Sequence, residues 1–122
     1  MKTLFSSLCI LLVSSSLTAQ VVNSASCISK SSLLSGKESG KIEITLPESV
    51  VKENVEEYGK YYIKIFTIGF DEKSHVATFN MVTNDENSRR VIMRFLSANQ
   101  IQSVVVENKV FTLADFYENF LK

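Results

Sequence analysis

Residues 20–40 read QVVNSASCISKSSLLSGKESG, and the reading of this stretch sets where the folded domain begins. Ser24, Ser26, Ser29, Ser31, Ser32, Ser35 and Ser39 alternate with little that is apolar, and Gly36 and Gly40 loosen the backbone further. Such a composition buries too little surface to offset the entropy of ordering it, so residues 20–40 are expected to be a flexible tether. Order is then expected to begin at Lys41, leaving residues 41–122 as a single α+β domain of 82 residues, long enough for one modest core.

Upstream of the tether, Met1-Lys2 gives a short positive start, Leu4 to Val13 an apolar run, and Ser14 to Ala19 a string that ends in small residues. This is the pattern of a secretory signal peptide, residues 1–19, cut after Ala19. The apolar run is far shorter than the ~20 residues that span a bilayer, so no membrane span is expected. The chain is accordingly expected to be exported, to a periplasm or the extracellular space.

Loss of Cys9 with the leader makes Cys27 the only cysteine of the remaining chain, and no intramolecular disulfide can form. Cys27 is then a lipid-attachment site, an intermolecular disulfide site or a bystander. Ser24-Ala25-Ser26 before it resembles a bacterial lipobox, with Ser24 where that pattern has leucine. Polar Thr18, Gln20 and Asn23 also separate it from the apolar run, so the lipid anchor is the weaker reading. No histidine or acid lies beside Cys27 to activate it, and the bystander reading is preferred.

From Lys41 on, periodicity speaks clearly. Lys41-Ile42-Glu43-Ile44-Thr45-Leu46 alternates as a half-buried strand. Pro47 ends it, and Thr45 with Glu48 suggests a capping box for a helix whose Val51, Val55 and Tyr58 share a face. Residues 63–70 and 75–82, separated by Asp71-Glu72-Lys73-Ser74, read as a hairpin. Asn84 or Asp85 caps a second helix with Val91, Ile92, Phe95 and Leu96 inward and Asn99 as its terminator. Residues 101–106 form a buried strand, 107–110 a tight turn, and a last helix runs from Thr112 with Leu113, Phe116, Tyr117 and Phe120 on one stripe.

The order β-α-β-β-α-β is that of a ferredoxin-like split βαβ antiparallel sheet, here with an added C-terminal helix. Such a sheet has helices on one face only. Ile63, Ile65, Val76, Val82, Ile101 and Val105 would lie on its other face, which is expected to be partly apolar, covered in part by the terminal helix and otherwise open to a protein partner or to self-association. Heavy-metal-associated domains share this plan, but their Met-x-Cys-x-x-Cys loop has no counterpart in Leu46 to Val51, so no metal transfer is implied.

Little points to catalysis. His75 is the only histidine and sits at a hairpin start with Asp71 and Glu72 nearby, short of the three or four convergent ligands a stable metal site needs. No cofactor or metal is expected. Arg89, Arg90 and Arg94 on the second helix could form an anion or acidic-partner surface, although ion pairing along solvated helices accounts for most such spacing. Removing residues 1–19 takes away Lys2 and no acid, so a formal charge of 0 becomes −1, and a nucleic-acid partner is not expected. The leading expectation is a non-catalytic exported interaction or assembly module. A small-ligand or metal-binding carrier comes second, and an enzyme using surface acids such as Glu56-Glu57 third.

Overall fold

The computed structural model describes residues 24–122, and the signal segment, its cut after Ala19 and residues 20–23 lie outside them. The described chain is α+β, with a mixed six-stranded sheet and four helices. In chain order these are β1 (Ser24–Cys27), α1 (Lys30–Ser39), β2 (Lys41–Thr45), α2 (Lys52–Gly59), β3 (Phe66–Asp71), β4 (Val76–Met81), α3 (Glu86–Ala98), β5 (Ser103–Val106), β6 (Lys109–Thr112) and α4 (Leu113–Phe116). A 3₁₀ turn (Lys60–Tyr62) follows α2, and a π-helical turn (Tyr117–Leu121) prolongs α4.

The expected tether is replaced, from Ser24 onward, by β1 and α1. Its serines and glycines are structural residues. Ser29 caps α1, its Oγ accepting from the Ser32 N–H at 3.1 Å. Gly40 ends the helix at φ 79°, the left-handed conformation glycine adopts at least cost. Gly36 lies so close to β2 that a Cβ there would stand 2.8 Å from the Lys41 carbonyl oxygen. Small residues let α1 lie flat on the sheet.

The strand order is β3-β4-β2-β1-β5-β6. This corrects the ferredoxin-like expectation, which pairs the strands 41–46 and 101–106 directly. Instead β1 is inserted between them, antiparallel to β2 and parallel to β5. A further strand, β6, occupies what read as turn and linker. The two-residue turn Glu107-Asn108, with φ of 50° and 67°, folds it back onto β5. Boundaries shift too: α2 starts at Lys52 behind Val51, not at a Thr45 capping box, and the positive φ after α3 falls on Gln100.

Burial alternates along every strand, so one face is dry and one wet. Ala25, Cys27, Ile42, Ile44, Phe66, Ala77, Phe79, Val104, Val106 and Phe111 point into the core. Phe79 stands edge-on to both Phe66 and Phe95 at 5.4 Å, and Phe120 packs on Phe111 at 5.1 Å and Phe116 at 5.6 Å. The opposite face carries Ser24, Ser26, Lys41, Glu43, Thr45, Thr67, Thr78, Asn80 and Ser103, with Val76, Val105 and Val110 between them.

The terminal helix therefore does not cover that second face. Its π-helical turn packs against α1 and α3 on the dry side, with Phe116, Tyr117, Phe120 and Leu121 buried. Width explains the change. Six strands at ~4.8 Å spacing span ~24 Å, more than two helices ~10 Å apart can roof, and α1 and α4 supply the remainder.

Candidate functional site

An antiparallel ladder turns alternate residues toward and away from each neighbour, and one bond fixes the phase on β3. The Val82 N–H donates to the Ile65 carbonyl at 2.9 Å. Residues 67, 69 and 71 therefore bond β4, while Phe66, Ile68 and Phe70 turn their N–H and C=O groups to the outside. As β3 is the first strand of the sheet, those groups meet no strand.

Beside this edge runs a groove of about 360 Å³ between β3 and α2. Val55, Ile63, Phe66, Ile68 and Phe70 give it apolar walls, and Lys52, Glu56 and Lys60 stand along its rim. Lys52 pairs with Glu56 at 3.9 Å and with Glu72 at 3.5 Å, and Lys60 with Glu57 at 3.3 Å. The rim charges are thus largely neutralised and the groove attracts by shape and apolarity. Ile63, at 63% exposure, stands in its wall without cover. A separate crevice of about 210 Å³, lined by Pro47, Asn54, Tyr58, Asn99 and Gln100 among others, contains no charged side chain.

The three arginines do not form one surface. Arg89 is buried at 6% exposure, its Nε donating to the Leu121 carbonyl and its Nη1 to Asn84 Oδ1 at 2.7 Å. Arg90 lies over the Tyr117 ring, 4.8 Å from its centroid. Arg90 and Arg94 are exposed, and only Arg89 of the three is buried. The α3 N-terminus is closed by Asp85, whose carboxyl is held below its usual range by the Ser88 backbone N–H, 2.8 Å from Oδ1. His75 sits edge-on against Phe70 at 5.4 Å, and no group of three or more His, Cys, Asp and Glu that could hold a metal occurs among the described residues.

Cys27 is a core residue of β1, opposite Val106 and 9% exposed. Burial in apolar surroundings pushes its thiol up from 9.0 to about 12. Native protein should therefore resist alkylation by iodoacetamide until denatured. The folded thiol titrates above the unfolded one, so its contribution is fully present below pH 9 and is lost as pH rises toward 12. That difference corresponds to ~4 kcal/mol. Denaturant melts across this window should show a steep alkaline loss that Cys27→Ala flattens, and parallel curves would refute the burial.

No family model, no curated protein and no solved structure matches this chain. The site therefore rests on its own geometry. The insertion of β1 between β2 and β5 leaves β3 at the sheet edge, where a split βαβ plan also puts it; the groove that α2 forms beside that edge is what the sequence alone does not show.

Proposed function

We propose that this chain is an exported, non-catalytic interaction module that captures an extended segment of a partner protein by strand addition to β3. The carrying observation is the unpaired edge at Phe66, Ile68 and Phe70 beside the apolar groove of about 360 Å³. An added strand would satisfy the outward backbone groups, and its alternate side chains would enter the groove. Backbone pairing gives affinity, and the groove selects aliphatic residues at every second position. Export rests on the pattern of residues 1–19. The non-catalytic part is supported by the solitary position of His75 and by the burial of Cys27.

The test is a selection of displayed ten-residue peptides against the protein, followed by amide-shift mapping of the winners. Recovered sequences should alternate aliphatic residues and perturb Phe66, Ile68 and Phe70. Ile68→Pro, which removes an outward N–H from the edge together with the Ile68 side chain of the groove wall, should weaken binding more than tenfold without losing the fold. Ile63→Glu at the exposed groove wall should do the same through a different atom set. Peptides that map elsewhere, or that bind both variants as well as wild type, would overturn the proposal.

A further inference from the structure

At the opposite end of the sheet, a pocket of about 280 Å³ lies between β6, α1 and the terminal helical turn. Its floor is aromatic. Phe111 and Phe120 meet edge-to-face at 5.1 Å and are 8% and 6% exposed. Leu34, at 52% exposure, forms an apolar wall, and Asn119 closes the side with its amide held by the Asp115 carbonyl at 2.7 Å.

Two cations overlook this floor. Lys109 Nζ stands 5.3 Å from the Phe111 ring centroid, and Lys30 lies on the first turn of α1. Among the described residues neither lysine belongs to an ion pair, whereas Lys52, Lys60 and Lys122 all do. The adjoining carboxylate, Glu107, is engaged by the Lys30 backbone N–H at 2.7 Å.

We infer that this pocket binds a small carboxylate carried on a compact apolar body. Two unpaired ammonium groups above an apolar floor complement one anion joined to one ring. A neutral hydrocarbon would leave the lysines unused, and a free phosphate would leave the phenyl floor unused. The volume of about 280 Å³ lies just below the usual range of ligand pockets, about 300–1,000 Å³, so the body should be close to phenyl size. Lysines serving only to guard the β6 edge against strand pairing would predict no ligand at all.

Phenylacetate is a suitable probe, with 2-phenylethanol as its neutral counterpart and inorganic phosphate as its apolar-free one. Titration of ¹⁵N-labelled protein should give saturable shifts at Lys30, Phe111, Asn119 and Phe120 with a roughly millimolar Kd. Both comparators should bind more than tenfold more weakly. The double variant Lys30→Gln, Lys109→Gln keeps the aliphatic stems and should lose more than tenfold in affinity, with the rest of the spectrum unchanged. Absence of saturable shifts, equal binding of phenylethanol or phosphate, or undiminished binding by the double variant would each overturn the inference. The site lies across the sheet from the β3 groove, so either result leaves the peptide proposal to its own test.

Discussion

A chain that starts at Lys41 should fail to fold, showing neither a cooperative thermal transition nor dispersed amide resonances. The truncation removes β1, the strand that stands between β2 and β5. Four registered pairs with Ser103–Val106 go with it, as does the pair between Ser26 and Thr45. So does α1, whose Leu33 is 1% exposed and which packs on both β2 and the terminal turn. Burial of Leu33 alone contributes ~1.5–3 kcal/mol. Added to the lost ladder and to the exposure of Ile42, Phe120 and Leu121, the deficit rivals the ~5–15 kcal/mol by which such domains are stable. Direct pairing of β2 with β5 would not repair it. That shift of ~4.8 Å drags β5 and β6 away from the helices packed on them. If residues 41–122 gave a two-state melt near that of the full chain, residues 24–40 would be the tether their composition suggests.

That contrast locates where the sequence was legible. The strands at 41–46, 63–70, 75–82 and 101–106 and the helix around Ile92 and Phe95 were readable because large side chains mark their buried faces. Ser24-Ala25-Ser26-Cys27 also alternates, but with side chains too small to register as apolar. Its neighbour α1 carried correct signals in Ser29 and Gly40, and the surrounding serines masked them as flexibility. The inward position of Phe111 revealed β6 only once β5 had a place in the sheet. For the candidate site the limit is different in kind. Phe66, Ile68 and Phe70 form a site because nothing lies beyond β3, and no local pattern encodes a missing neighbour. Arg89 was legible as well: it falls three residues before Ile92 and seven before Leu96, on the same helical stripe, and that spacing separates it from Arg94.

Replacing Arg89 with leucine should therefore destabilise the protein by about 3 kcal/mol, lowering Tm by roughly 15 °C for a domain of this size. Arg89 is the clasp between three elements. Its Nε holds the Leu121 carbonyl at 2.5 Å, its Nη2 reaches the Lys122 carbonyl at 3.4 Å, and its Nη1 orients Asn84. Asn84 in turn donates to the Lys37 carbonyl at 2.7 Å, at the end of α1. A guanidinium at the end of the terminal turn also meets the negative end of its backbone dipole. Leucine fits the stripe in volume but leaves a carbonyl of buried Leu121 without a donor, which costs more than the burial returns. Lysine should recover part of the loss, because one ammonium can serve the carbonyl but cannot fork to Asn84. Asn84→Ala combined with Arg89→Leu should cost less than the two separately, as both break one network. Arg94→Ala, on the exposed side of the same helix, should stay within ~0.5 kcal/mol of wild type. Chemical denaturation of these variants and of Asn84→Ala alone is sufficient, and equal, small effects at positions 89 and 94 would return the arginines to a single solvated surface.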